Sequence, residues 1–406
     1  MAQKIVVDTD PGVDDVLAIL MALASPELDV ALISIVFGNT HAPVAHANLL
    51  KIYHLLAQEL AEIPDAEARY ARLAQPNKTV LALGEDRPIG GEKAVAAYFH
   101  GMDGLSNISE THPHFTPPEL EPGATHQHLE ISQKSSYEAI LDLLRDEPEH
   151  TVTIVALGPL TNIAHALRAE PTTFARVHSV VWMGGALEHP GNTSPTSEFN
   201  CFADPFAAQQ VLDACKAGQF ELIMAPLDIT TPHQVPFDDL IHPELVSGPD
   251  GSVPARKSDT PPSPLRAFIS AMLVRVRGLQ ASFGLDDAME MHDPVAVWWA
   301  LAQASRPVLD LAEGWELQPR EFKIERVGEL TRGMCVVDRR GTGDEGETRT
   351  KSERLVGGQK KKEEEEGKGR MGDEIVKSGN LPKVIVKTPG KEVLRKTLLE
   401  RVFGEA

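Results

Sequence analysis

Residues Asp8 to Asp15 read Asp-Thr-Asp-Pro-Gly-Val-Asp-Asp, four carboxylates in eight positions. The apolar run Ile5-Val6-Val7 precedes them and Val16-Leu17-Ala18-Ile19-Leu20-Met21 follows, so the acidic stretch falls on a strand-to-helix turn. Open α/β sheets carry their ligand sites at such turns. One or two aspartates there serve capping and the helix dipole, each stabilising by roughly 0.3–1 kcal/mol, and Pro-Gly is ordinary turn chemistry. Four ionised groups in one turn repel by more than that. A hard divalent cation among them relieves the repulsion, and carboxylate oxygens are the ligands it prefers. An EF-hand does not fit, because the twelfth position from Asp8 is Ile19, where a calcium loop uses a bidentate Glu.

Further polar residues stand beside strand ends. Phe37-Gly38-Asn39-Thr40 follows the run Leu32–Val36, where Asn39 alone reads as a turn residue. Ala156-Leu157-Gly158-Pro159-Leu160-Thr161-Asn162 closes another run, with Thr161 or Asn162 as a helix cap. Met183-Gly184-Gly185 leads to Gly191-Asn192 and then to Ser197-Glu198-Phe199-Asn200-Cys201-Phe202-Ala203-Asp204-Pro205. Asn192, Glu198 and Asn200 suit a ligand bearing several hydroxyls, while Asp204-Pro205 reads as an N-cap and first helical position. Met291-His292-Asp293-Pro294 opens the apolar run Val295–Leu301, with Asp293 readable as a cap or a ligand.

In this order, D-T-D-P-G-V-D-D, F-G-N, L-G-P-L-T-N, M-G-G, G-N with E-F-N-C-F-A-D-P, and H-D-P, the chain resembles the nucleoside hydrolase family, the inosine–uridine-preferring N-ribohydrolases. The resemblance runs from Lys4 to Val337 and resumes in the C-terminal strand and helix. It implies a Ca²⁺ held by Asp10, Asp15, Asp293 and the Leu157 carbonyl. It implies ribose contacts from Asp14, Asn39, Asn192, Glu198 and Asn200, with a main-chain contact at Met183. His292 and His100 match the two histidines associated with the leaving base, His292 as its donor. The implied reaction is hydrolysis of ribonucleosides to ribose and free base, in purine and pyrimidine salvage. Breaking an N-glycosidic bond builds positive charge on the ribosyl ring, which nearby carboxylates and amide oxygens stabilise. Asp10 is then the acceptor for the proton of the attacking water.

Two departures stand out. The segment Met272–Gln280 lacks the tyrosine that many relatives carry there, and Met289-Glu290-Met291 replaces the proline-containing pair usual before the histidine. No tryptophan stands shortly before His292 to stack a purine, so a pyrimidine or mixed preference is expected; Trp298 and Trp299 read as core. Two other classes compete. An aspartate-based phosphohydrolase would use Asp8-Thr9-Asp10 but leaves Asp14, Asp15 and the E-F-N segment without a role. A nucleoside-binding protein that kept the pocket and lost the chemistry is left open by the missing tyrosine and disfavoured by Asp10.

The elements that must position these groups are strand-like runs at Ile5–Val7, Val30–Val36, Val80–Ala82, Val152–Leu157, Val177–Met183 and Leu222–Ala225. Helical patterns alternate with them at Val16–Ala24, Ala45–Leu56, Tyr137–Leu144, Asn162–Arg168 and Pro205–Ala217. Continuous apolar strands separated by helices indicate an α/β, doubly wound, mainly parallel sheet with helices on both faces. A single domain over 1–406 is expected. Ser106–Gln133 and His233–Ser263 read as long surface loops. Gly341–Asn380, with its Lys-Lys-Lys-Glu-Glu-Glu-Glu run, reads as a disordered low-complexity insertion before a strand at Lys383–Lys387 and a helix at Lys391–Phe403.

Of 406 residues, 42% are hydrophobic and 24% charged, as in globular proteins. The net charge of −20 argues against nucleic acid or an anionic membrane as partner. Three cysteines without paired spacing, no signal peptide and no spanning run point to the cytoplasm. The resemblance adds a homo-oligomer, dimer or tetramer.

Overall fold

The computed structural model describes residues 2–118, 125–245, 260–308, 310–339 and 381–405. The segment Gly341–Asn380, expected as an insertion, lies outside the described residues. Seven strands follow in chain order: β1 (Gln3–Thr9), β2 (Leu28–Ile35), β3 (Thr79–Leu83), β4 (Leu129–Ile131), β5 (Val152–Ala156), β6 (Ser179–Met183) and β7 (Leu222–Ala225). Then come β8 (Gln234–Pro236), β9 (Ala288–Glu290), β10 (Glu316–Pro319), β11 (Lys323–Ile324), β12 (Cys335–Val336) and β13 (Lys383–Lys387). Nine of these form one sheet in the order β10-β13-β7-β6-β5-β1-β2-β3-β4, while β8 pairs with β9 and β11 with β12. Within the nine-stranded sheet every pairing is parallel except that of the edge strand β10 with β13.

Strand order runs outward from β1 through β2, β3 and β4, then restarts on the other side of β1 with β5. The gap between the C-terminal ends of β1 and β5 is therefore the switch point where α/β sheets bind ligands. Ile5, Val7, Ile33, Ile35, Val155 and Val181 pack on one face, and Val6, Leu32, Ile154, Ala156, Val180 and Trp182 on the other. Both faces are covered, which is why the strands read as unbroken apolar runs. Helices Val13–Leu23, Ala42–Glu62, Pro264–Ser282, His292–Ala302 and Lys391–Phe403 belong to the first side. Helices Ser136–Asp146, Thr161–Ala169 and Pro205–Lys216 belong to the second. Trp298 and Trp299 are core residues, as expected.

Two expected loops hold regular structure. Ser106–Gln133 contains β4, which adds to the sheet edge beside β3; three residues are too short for an alternation to register. His233–Ser263 contains β8 and the short helix Phe237–Leu240. Among the described residues no helix is long and apolar enough to cross a membrane.

Candidate active site

Only Asp10-Pro11-Gly12 connect β1 to the helix Val13–Leu23, so Asp14 and Asp15 lie in the first helical turn and not before it. Asp15 is fully held: it accepts from Thr9 Oγ1, from Gly12 N at 3.0 Å and from Asn39 Nδ2 at 2.8 Å. From the far end of the chain, the helix His292–Ala302 packs against Val13–Leu23 and brings in Asp293. Met291 is that helix's N-cap, so Asp293 is not a cap. Oxygens of Asp14, Asp15 and Asp293 lie within 4.8 Å of one another, all buried.

Asp10 is not one of that trio. Its Oδ2 accepts from Asn39 N at 2.7 Å, while its Oδ1 is buried with no hydrogen-bond partner. Gly38 and Gly158 close over it: a Cβ would fall 2.0 Å from Oδ2 at Gly38 and 2.5 Å from Oδ1 at Gly158. Asp8 stands apart from the cluster, on β1, held by Ser34 Oγ and by Asn162 Nδ2 at 2.8 Å. Asn162 is thus no cap; its amide also donates to the Ile35 carbonyl and its oxygen accepts from Glu85 N at 2.9 Å. Thr161 is not a cap either, and donates to Asp204 Oδ2. Asp204 caps the next helix as expected, through Ala207 N at 3.0 Å.

Burial pushes the Asp14 carboxyl up to about 7, aided by Asp15 and opposed by His292. Asp10 is raised well above the usual carboxylate range by burial, then Asp15 and Asp14. Asp293 is raised likewise by burial and the charges of Asp14, Asp15 and Asp10. At an effective dielectric constant of 20, two unit charges at 4.8 Å repel by about 3.5 kcal/mol. A divalent cation cancels that repulsion, and the partnerless Asp10 Oδ1 offers it a further oxygen. The donor set, all oxygen, suits a hard ion.

Above this floor opens a cavity of about 360 Å³. Asp14, Asn39, His100, Leu157, Met183, Asn192, Glu198, Asn200, His292 and Asp293 all line it, whereas Asp10 and Asp15 sit behind its wall. Glu198 begins the helix Phe199–Ala203 and accepts from Asn200 N at 2.6 Å, Gly185 N at 2.7 Å and Cys201 N at 3.0 Å. Burial raises its carboxyl, moderated by those three donors. Asn200 Nδ2 donates to the carbonyls of Leu157 at 2.6 Å and Met183 at 3.0 Å, tying the ends of β5 and β6 together. Asn192 Oδ1 accepts from Phe199 N at 2.9 Å.

At the other end, His100 Nδ1 accepts from Val13 N at 3.2 Å, and burial pushes its imidazole down to about 3, helped by His292 and Arg275. His292 places Nε2 3.0 Å from Glu290 Oε2 and Nδ1 2.9 Å from Thr230 Oγ1. Burial pulls its imidazole down, but Glu290, Asp14 and Glu198 outweigh this and raise it. Four polar wall residues escaped the sequence reading: His189, Thr231, Glu290, noted only as a departure, and Gln280, buried with Oε1 unpartnered. Gln280 is one of three polar residues on the buried face of the helix Pro264–Ser282, with Ser270 and Arg277, so its polarity alone did not set it apart. Tyr98, Phe283 and Leu285 form an exposed rim.

The family model for inosine–uridine preferring nucleoside hydrolase matches residues 5–363. The pyrimidine-specific ribonucleoside hydrolase RihA of Salmonella arizonae is 30% identical over 338 residues, 83% of this chain and 89% of that protein. The inosine-uridine preferring nucleoside hydrolase of Leishmania major is 30% identical over 338 residues, covering 83% and 88%. The solved purine-preferring ribonucleoside hydrolase from Gardnerella vaginalis superposes with a TM-score of 0.67 at 22% identity, covering 99% of this chain and 98% of that one. With the acidic floor at the sheet's switch point and a match spanning nearly its whole length, the chain belongs to the nucleoside hydrolase family and is an N-ribohydrolase.

Proposed function

We propose that this enzyme hydrolyses ribonucleosides, pyrimidine or mixed in preference, to ribose and free base, and that it does so with Ca²⁺ held by Asp10, Asp15, Asp293 and the Leu157 carbonyl. The observation that carries the reading is the buried acidic trio directly beneath a cavity lined by Asn39, Asn192, Glu198 and Asn200. When bound, the cation supplies positive charge that makes the attacking water more acidic. Asp14, whose carboxylate lies within 4.8 Å of those of Asp15 and Asp293, could serve both cation and ribose.

The chain's own groups do the rest. Asp10, whose Oδ2 is fixed by Asn39 N, takes the water's proton. Asn192, Glu198 and Asn200 hold the ribose hydroxyls, and the anionic Asp14 and Glu198 stabilise the positive ring as the bond lengthens. His292 faces the departing base, with neutral His100 on the same wall. The names of the relatives from Salmonella and Leishmania favour a pyrimidine or inosine–uridine substrate, and the unpartnered Gln280 Oε1 can accept from a ring N–H such as that of uracil.

Purified protein incubated with uridine, cytidine and inosine, assayed for reducing sugar with and without chelator, tests the reading. Ribose release abolished by chelation and restored by Ca²⁺ is the expected result. Nucleoside binding without release would make the chain a silent binder, and release indifferent to chelation would remove the cation.

A further inference from the structure

A second cavity, of about 170 Å³, adjoins the active-site cavity, and Gln280, Leu285 and Glu290 line both. Gln234 and Asp286 complete its polar lining. The shared wall includes Glu290, whose Oε2 lies 3.0 Å from His292 Nε2, so the smaller cavity opens off the end assigned to the base. Gln234 stands opposite Glu290 in the pair of β8 with β9 and hydrogen-bonds its carboxylate, which is thereby held from two sides. Gln280 is 4% exposed and its Oε1 has no partner, an unfavourable state for a buried oxygen that a ligand's N–H relieves. Asp286 is exposed, and Arg277 pairs with its sequence neighbour Asp287 and with Asp238 instead. Among the described residues no lysine or arginine lines either cavity.

We propose that the smaller cavity is a substituent subsite that takes an ammonium group carried on a short arm from the base edge remote from the ribose. The inference rests on the reading that a ribonucleoside binds with its base at the Gln280 and Glu290 end. An ammonium has three N–H donors, and Asp286, Glu290 and the Gln280 oxygen are acceptors for them. Two carboxylates without a lysine or arginine beside them attract a cationic substituent and repel an acidic one. The enzyme therefore discriminates among ribonucleosides with modified bases by the charge of the modification, favouring aminoalkyl over carboxyalkyl groups. The ribose and the scissile bond are handled as in an unmodified substrate.

The test compares wild type, Asp286→Asn and Asp286→Lys on uridine, 5-aminomethyluridine and 5-carboxymethyluridine at one ionic strength. A substituent's own effect on the departure of the base is the same in every variant, so the change in ratio between enzymes isolates the subsite. The kcat/KM ratio of the aminomethyl to the carboxymethyl substrate should fall about tenfold or more in Asp286→Lys and less in Asp286→Asn. The change should lie mainly in KM, with uridine turnover within about twofold of wild type. A ratio that stays the same in both variants, including a loss shared equally by all three substrates, would overturn the subsite while uridine hydrolysis by wild type leaves the nucleoside reading standing. No ribose release by wild type from any of the three would remove that reading and the subsite with it.

Discussion

Asn162 Nδ2 donates to Asp8 Oδ1 at 2.8 Å across the line where the sheet reverses its strand order. The same amide reaches the Ile35 carbonyl at 3.0 Å and Ser34 Oγ at 3.1 Å, and its oxygen takes Glu85 N, so one buried side chain ties β1, β2 and the strand following β2 to the helix after β5. Asn162→Ala leaves the buried Asp8 carboxyl with Ser34 alone and the part-buried Glu85 N–H without its acceptor. Unfolding in urea should show a loss of about 3 kcal/mol; a loss under half of that would mean that water replaces the amide.

The acidic floor predicts linkage to a cation. Ca²⁺ at a hundred times its dissociation constant should stabilise the fold by about 2.7 kcal/mol, read as a rise in melting temperature that EDTA reverses. Asp293→Asn should shrink this rise while keeping the fold. An unchanged rise in that variant would take Asp293 out of the ion's shell.

Asp10→Asn keeps size and shape but removes the carboxylate that takes the proton. Ribose release should fall by roughly 10²–10⁴-fold in protein whose circular dichroism is unchanged. Near-normal turnover would refute Asp10 as the proton acceptor.

His100 carries the pH prediction. Burial holds its imidazole down at about 3, against an ordinary 6.5. Between these values the unfolded chain binds a proton that the folded chain does not, so the stability present above 6.5 is lost as pH falls towards 3. His100→Gln, whose oxygen can still accept from Val13 N, removes that titration. Urea midpoints at pH 7 and pH 5 should differ less in the variant than in wild type; an equal difference would mean that His100 is charged in the folded protein.

Gln280→Leu replaces a buried amide whose oxygen has no protein partner. If that oxygen takes a ring N–H of the base, kcat/KM for uridine should drop roughly tenfold or more while Ca²⁺ stabilisation is unaffected. An unchanged ratio among uridine, cytidine and inosine would exclude a reading role for this amide.

Much of this architecture was legible because parallel strands buried on both faces announce themselves as apolar runs, as in Val152–Ala156 and Ser179–Met183. The acidic motif, Asn39, the E-F-N segment and His292–Asp293 were legible through their order along the chain, since each taken alone also reads as a turn or a cap. What escaped was short or tertiary in origin. β4 has three residues and no pattern. Asn162 looked like a cap because sequence shows only its neighbours, and its real partners on β1 and β2 lie more than 100 positions away. Gln280 and Glu290 acquire meaning only when the segments before His292 fold back over the cavity.

The helix Val13–Leu23 is buried along its entire length, and the residues that complete its acidic end come from His292–Ala302, some 280 positions later. A ribosome therefore releases most of this polypeptide before the floor can close. Nascent chain ending short of Asp293 holds the N-terminal carboxylates without their counterpart, and the first helix without the helix it packs against. Closure of the acidic floor accordingly comes among the last steps of folding, once the C-terminal third has docked.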